Sequence, residues 1–250
     1  MQHTTREVRL AAALVEAADT LTDGFDTAHY LQRLCDHCVE LLPARAAGVM
    51  LIDGGRAVSL AGSSRRQDVA LDLLAAQHDG GPCPDSYGSG RPVPPVSIRA
   101  AHEEARWPRF TERALAHDIA TTFAVPLRRR ETLLGALNVF VPAGAGPDDA
   151  GLRLAQTLAD AAALGLHNQR AYAQYRTLAG QLQEALTSRV RVEQAKGMLA
   201  ERWQVPADEA FVALRRFARR RRLPVDRVAR DVLAGTPDTR ELRGPSGESA

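Results

Sequence analysis

The chain has 250 residues, 45% hydrophobic and 25% charged, a composition typical of soluble proteins with one large domain or two modest ones. The sequence shows neither the apolar core of a signal peptide nor an apolar run long enough to span a bilayer. Its three cysteines are an odd number for a disulfide framework. We therefore expect a reduced, cytoplasmic protein without membrane contact. The net charge of +2 is unevenly distributed: residues 1–165 carry 16 basic and 20 acidic residues, whereas residues 166–250 carry 16 basic and 10 acidic residues. This excess of positive charge favours a polyanionic partner for the C-terminal end.

The first 80 residues alternate helical and strand patterns. The first helix carries its apolar residues at helical spacing on Val8, Ala11, Ala12, Val15 and Ala18. In chain order we predict a helix over 6–22, a helix over 27–42, strands over 47–53 and 57–62 joined by Gly54-Gly55, and a helix over 67–77.

Residues 80–95 are rich in glycine and proline, which predicts a loop without regular structure. The following elements are a helix over 106–117, strands over 121–127 and 133–141 with a turn at 128–132, and a helix that Asp148 caps and that continues beyond Leu199. Paired consecutive strands indicate an antiparallel sheet with helices on one side, an α+β domain.

The long helix carries a heptad pattern in its middle, at Ala171, Tyr175, Leu178, Leu182, Ala185, Arg189 and Val192. One interpretation is a face that packs on the protein's own core. The other is a two-stranded coiled coil that joins two chains as a homodimer.

The C-terminal part predicts three amphipathic helices, with Pro206 and Pro224 opening the second and third. Their apolar stripes are expected to form a compact bundle. Six arginines lie within residues 215–222, and Lys196 is the one lysine among 32 basic residues. Such a basic face is either solvated or binds phosphate, and this arginine density favours phosphate.

Three motifs in this region closely resemble the ANTAR domain, over about residues 178–235: Glu193-Gln-Ala-Lys-Gly197, Ala210-Phe-x-x-Leu214-Arg215 and Val228-Ala229. The resemblance implies a three-helix RNA-binding domain that recognises paired hairpin loops in nascent transcripts and prevents terminator formation. The sequence departs from the family at Trp203-Gln204, where a glycine is usual, and in the extra charge of residues 220–222. The predicted RNA-binding residues are Arg189, Lys196, Gly197, Arg215, Arg216, Arg219 and Arg222.

Gly197 follows Lys196, whose ammonium group is a mobile point charge. The glycine itself has two interpretations. A glycine lets a phosphate approach the backbone closely, or it lets another helix pack there.

The N-terminal part resembles a GAF domain over about residues 20–168, of the kind paired with ANTAR domains in actinobacteria. The resemblance lies in Gly81-Pro-Cys-Pro-Asp-Ser-Tyr-Gly, in Val125-Pro-Leu and in Leu134-Gly-Ala-Leu-Asn-Val-Phe. GAF domains often hold a small ligand between the sheet and the central loop. The resemblance therefore implies a sensor pocket that includes Cys83, Tyr87, Phe123 and Asn138, for a ligand that the sequence does not name.

Chemical motifs are scarce. Cys35-Asp-His-Cys38 has no second pair to complete a zinc site, so we interpret the cysteines as structural, with a thiol sensor at Cys83 as the alternative. Gly88-Ser-Gly lacks the setting of a nucleophile elbow, residues 80–90 lack a P-loop lysine, and His102-Glu-Glu is not a zinc motif. We therefore predict no enzyme, no catalytic residue, no metal and no cofactor.

The predicted architecture is an N-terminal helix (1–19), a GAF-like sensor domain (20–168), a helical linker (169–185), an ANTAR-like three-helix bundle (186–235) and a disordered tail (236–250). The predicted function is that of a homodimeric transcription antitermination regulator whose GAF-like domain senses a signal and whose bundle binds hairpins in nascent RNA. The alternatives are a DNA-binding regulator, since two helices and a turn can imitate a helix-turn-helix, and a ligand or redox sensor whose tail is only an interaction surface.

Overall fold

A computed structural model describes residues 2–145, 149–235 and Leu242. The helices are α1 (Gln2–Ala18), α2 (Thr27–Leu41), α3 (Gln67–Ala75), α4 (Pro82–Ser89), α5 (Ile98–Glu103), α6 (Pro108–Ala116), α7 (Asp149–Trp203), α8 (Ala207–Arg221) and α9 (Val225–Leu233). The strands are β1 (Ala46–Asp53), β2 (Arg56–Gly62), β3 (Val93–Ser97), β4 (Ile119–Arg129) and β5 (Thr132–Pro142). The chain forms two compact units that divide after Tyr172. Asp148, the predicted cap of α7, and the predicted tail apart from Leu242 lie outside the described residues.

The five strands form one antiparallel sheet in the order β2-β1-β5-β4-β3. Helices cover both faces, so the prediction of helices on one side was wrong. On one face α1, α2 and α7 pack on Val49, Phe123 and Leu137, and on the other α3, α5 and α6 pack on neighbours such as Phe140. β1 and β5 are buried on both faces over most of their length; their sequences are therefore mostly apolar, without the alternation of a half-exposed strand.

The face of helix α1 that is buried is not the face that carries the predicted apolar stripe. Ala13 and Ala17 are buried and Leu10 and Leu14 are half-buried, whereas Val8, Ala11, Ala12, Val15 and Ala18 are exposed. Both sets have helical spacing, so periodicity located the helix without selecting its buried side. The Tyr30 hydroxyl of α2 fixes the orientation, because it donates a hydrogen bond to the Ala17 carbonyl at 2.8 Å.

The prediction of a loop over residues 80–95 was wrong, because this segment holds α4 and β3. Pro82 occupies the first turn of α4, where no backbone N–H is needed, and Gly90 ends the helix in the left-handed region at φ +65°. β3 is an edge strand, and its register with β4 shifts between Val93 and Val96, across Pro94 and Pro95. Prolines are tolerated in both settings, so their number did not exclude regular structure.

Helix α7 runs without interruption over 55 residues. Its first part supplies Ala155 and Leu158 to the core under the sheet, and its last part supplies Ala195 and Leu199 to the core of the C-terminal unit. The predicted three-helix bundle is confirmed, since these two residues pack with Leu214 of α8 and Val228 of α9. None of the described helices is long and apolar enough to cross a membrane.

Candidate functional site

Helix α8 separates an apolar face from a row of arginines. Ala210, Leu214 and Phe217 are buried in the bundle. Arg215, Arg219 and Arg222 are all exposed. The four-residue step places Arg215 and Arg219 on one side of the helix, and Arg222 follows α8 as its C-cap in the left-handed conformation. The acidic first turn and the basic last turn both suit the helix dipole, which stabilises this charge gradient.

Three arginines of α8 lie over phenylalanine rings. The Arg215 guanidinium lies 5.7 Å from the centre of the Phe211 ring, and those of Arg220 and Arg221 lie 5.3 and 5.6 Å from that of Phe217. Such contacts restrict a guanidinium without using its hydrogen-bond donors. Arg216, the other predicted contact on this helix, is also exposed.

Lys196 and Arg189 lie seven residues apart on one face of α7. Arg189 is exposed, whereas the Lys196 side chain is only 21% exposed and forms an ion pair with Glu193. Glu193 belongs to the same motif, so the motif places an acid beside its lysine. The ammonium is therefore held close to the helix surface rather than extended into solvent.

Gly197 faces open space. A Cβ atom at this position would meet no other heavy atom within 4 Å. Within the described chain no helix packs against Gly197, which removes helix packing inside one subunit as its purpose. This open surface is compatible with the close approach of a ligand, or of a helix from another chain, to the backbone.

Gln204 accounts for the departure from the ANTAR pattern near Trp203. It ends α7 in the left-handed region at φ +55°, where glycine is the least strained residue. Its side-chain amide donates a hydrogen bond to the Glu201 carbonyl at 2.8 Å, which compensates in part for the strain. Trp203 packs against the bundle core, so it is not a free platform for stacking a base.

An ion-pair cluster that the sequence did not indicate ties α7 to α9. Asp226 accepts hydrogen bonds from Arg191 at 3.3 Å and from Arg230 at 2.9 Å. The Asp226–Arg230 pair has the spacing of a helical ion pair and could have been found. The contact between Asp226 and Arg191 spans 35 residues. It could not be predicted from the sequence, because it depends on how the helices pack.

The structure separates the four predicted pocket residues. Phe123 lies on the sheet face that α1, α2 and α7 cover. Asn138 is buried in the sheet, where its Oδ1 accepts a hydrogen bond from the Thr122 hydroxyl at 2.7 Å. Only Cys83 and Tyr87 come together, beside β1 and α3.

A cavity of about 540 Å³ opens next to these two residues, between the β1–β2 hairpin and α3–α4. Its apolar wall consists of Met50, Ile52, Leu60 and Leu74, and Tyr87 and Arg56 also line it. Of these lining residues, the sequence pointed only to Tyr87. Met50 and Ile52 alternate along β1 with the residues of the other sheet face, but only the position of α4 shows that a space lies over them.

The three thiols are fully buried. Burial raises the pKa of Cys38 to about 12 and the pKa values of Cys35 and Cys83 as well, so each sulfur is held as the unreactive thiol. His37, between the first two cysteines, instead contacts Glu16 at 2.7 Å. Among the described residues no group of three or more histidine, cysteine or acidic side chains is arranged to hold a metal ion.

Comparison with protein families identifies both halves of the chain. The GAF domain family matches residues 26–167, and the ANTAR domain family matches residues 180–233. A search of curated proteins gave no match.

Solved structures resemble the N-terminal part at low identity. The free methionine-R-sulfoxide reductase of Neisseria meningitidis, in complex with its substrate, is 16% identical, with 68% of this chain and 93% of that chain covered and a TM-score of 0.49. The GAF domain of a phosphoenolpyruvate-protein phosphotransferase of Coxiella burnetii is 16% identical, with coverage of 67% and 98% and a TM-score of 0.45. The GAF domain of the cyanobacteriochrome TePixJ is also 16% identical, with coverage of 58% and 91% and a TM-score of 0.43. Because these TM-scores lie below 0.5, the likenesses carry no argument about activity.

Proposed function

This chain belongs to the GAF domain family and carries an ANTAR domain at residues 180–233, and from that premise we propose that it is a transcription antitermination regulator that binds hairpins in nascent RNA. ANTAR domains are RNA-binding antitermination modules, and GAF domains are sensors. We propose in addition that the bundle binds the loops of these hairpins and that the GAF domain controls this RNA binding.

The observation that carries the RNA-binding proposal is the exposed arginine row of α8. Arg215 and Arg219 present guanidinium groups one turn apart on a helix whose other side is fixed in the bundle core, and Arg222 adds an exposed third at the C-terminal cap of that helix. Guanidinium groups match phosphate oxygens in geometry and charge. On α7, Arg189, Lys196 and the open backbone of Gly197 supply a second set of contacts.

Helix α7 is the proposed route of the signal. The same helix packs under the GAF sheet and contributes to the core of the RNA-binding bundle. We propose that a change at the sheet shifts or rotates the first part of α7 and is passed along this helix to the bundle.

We further propose that the protein is a homodimer joined along the middle of α7. Tyr175, Leu178 and Leu182 are 72%, 51% and 58% exposed in the single chain. They follow the heptad spacing of a coiled-coil seam, and a second copy would cover them.

A regulatory rather than enzymatic role, in the cytoplasm where transcripts emerge, completes the proposal. The buried thiols support it, because a thiol held protonated and out of solvent is neither a nucleophile nor a ready redox sensor.

The test is a binding competition between a two-hairpin RNA and duplex DNA of equal length at matched salt. We expect the RNA to bind more tightly, and we expect Arg219→Ala to lower its affinity and to reduce the slope of log affinity against log salt by about one. The exposed Arg128 lies in the GAF domain, so Arg128→Ala is the matched control and should leave both quantities unchanged. Preference for duplex DNA, or an unchanged salt slope in Arg219→Ala, would contradict the proposal.

A further inference from the structure

We infer that the cavity between the β1–β2 hairpin and α3–α4 binds an aliphatic carboxylic acid, with the hydrocarbon chain among the apolar side chains and the carboxylate at Arg56. The inference rests on the proposed sensor role of the GAF domain and names the chemical class of its signal.

The inner wall of the cavity suits an aliphatic chain. Met50 and Ile52 of β1, Leu60 of β2 and Leu74 of α3 present flexible or branched aliphatic groups, and Tyr87 is the aromatic side chain among the lining residues. A nucleotide would instead require donors and acceptors for its base and sugar.

The most buried polar side chain of the lining, the amide of Gln77, already has hydrogen-bond partners within the protein. Gln77 is fully buried; its amide nitrogen donates to the Leu73 carbonyl at 3.2 Å, and its Oε1 accepts from the Cys83 backbone at 2.8 Å. It therefore fixes α4 against α3 and does not select a polar ligand.

The mouth of the cavity carries an available positive charge. Arg56 is the first residue of β2 and is exposed, and its guanidinium makes no hydrogen bond or ion pair with any part of the chain that the structure describes. His78, at the same mouth, lies 2.7 Å from Arg109 and 3.0 Å from Asp79, and Arg109 also pairs with Asp79 at 3.1 Å. Arg109 is thus paired with Asp79 and also contacts His78, so Arg56 is the basic group at the mouth that a ligand can engage.

Apolar walls that end at one arginine are complementary to an amphipathic anion. The planar guanidinium can donate two parallel hydrogen bonds to a carboxylate. The volume of about 540 Å³ lies in the range of small-molecule sites and accommodates a medium-chain acid.

The experiment is a calorimetric titration of the full chain, without RNA, with octanoate and with 1-octanol, which share the hydrocarbon chain and differ in charge. We expect wild-type protein to bind octanoate more tightly than 1-octanol. Arg56→Gln should weaken octanoate binding about ten-fold or more and leave 1-octanol binding unchanged. Leu60→Gln should weaken the binding of both.

Arg128→Gln is the matched control, because this exposed arginine of β4 lies outside the cavity lining, and it should bind octanoate like the wild type. Circular dichroism verifies that each variant is folded. Absence of octanoate binding to the wild type, or equal octanoate affinity in Arg56→Gln and the wild type, would overturn the inference. Since no RNA is present, such a result would leave the RNA-binding proposal standing, and a failure of RNA binding would leave the titration interpretable.

Discussion

Gly197 is the last residue of the motif that contains the chain's one lysine, yet it has no packing role in the described chain. A Cβ atom would meet nothing within 4 Å there, and the residue lies inside a long helix. Glycine in a helix interior costs roughly 0.5–1 kcal/mol relative to alanine, because it loses more backbone entropy on folding. A residue that lowers stability without a packing gain is expected where something outside the chain must come close.

Gly197→Ala is therefore expected to raise the free energy of unfolding by about 0.5–1 kcal/mol and at the same time to weaken RNA binding. Gly180→Ala is the matched control, because Gly180 also lies within α7 and also faces open space. It should bring the same stabilisation and leave RNA affinity unchanged. Thermal unfolding and RNA titration of the two variants measure both quantities; unchanged RNA affinity in Gly197→Ala would remove the close-approach role.

Among the elements, α1 is attached to the GAF domain by a polar cluster as well as by apolar packing. Glu16 of α1 accepts hydrogen bonds from Arg33 at 2.8 and 3.1 Å and contacts His37 at 2.7 Å. The hydrogen bond from Arg33, followed by that with His37 and the nearby charges, lowers the pKa of Glu16 from 4.5 to about 2, against the opposing effect of burial.

The cluster makes the attachment of α1 sensitive to acid. Because the pKa of Glu16 is lower in the folded state, its contribution is fully present above about pH 4.5 and is lost as the pH falls towards 2. Glu16 is partly exposed, so solvent screening limits this contribution to about 1 kcal/mol or less. Glu16→Gln should lower the free energy of unfolding at pH 7 and flatten its decline between pH 4.5 and 2 in urea titrations. Glu7→Gln, at an exposed position of the same helix, serves as the control; an equal decline in Glu16→Gln and the wild type would contradict this assignment.

The sequence predicted the type and the order of the secondary-structure elements well where a local sequence pattern determines them. The β1–β2 hairpin, the β4–β5 pair and the bundle helices follow from Gly54-Gly55, apolar runs and helix-opening prolines. Residues 80–95 could not be predicted in this way, because a proline is acceptable in a first helical turn or on a sheet edge, and only the tertiary structure shows which positions those are. The cavity was missed for the same reason, since Met50 and Ile52 look like ordinary core residues until α4 is placed beside them.

At the scale of the whole molecule, the proposed dimer depends on the middle of α7. Leu182 is exposed, so Leu182→Glu should leave the fold of a single chain intact while placing a charge in the proposed seam. We expect sedimentation at micromolar concentration to show a dimer for the wild type and a monomer for Leu182→Glu. Gln183→Glu adds the same charge one residue away, off the apolar stripe, and should stay dimeric. A monomeric wild type, or a dimeric Leu182→Glu, would show that this surface does not join two copies.

The prolines of β3 are expected to disfavour the pairing of a further strand at this edge of the sheet. An open sheet edge offers a row of unpaired backbone groups to any strand that comes near, and this is how many β-rich proteins polymerise. At the β3 edge such a strand would meet Pro94 and Pro95, which have no N–H to donate, next to a register shift that already interrupts the ladder. The same residues that obscure this strand in sequence-based prediction are therefore expected to hinder fibre-like growth at that edge.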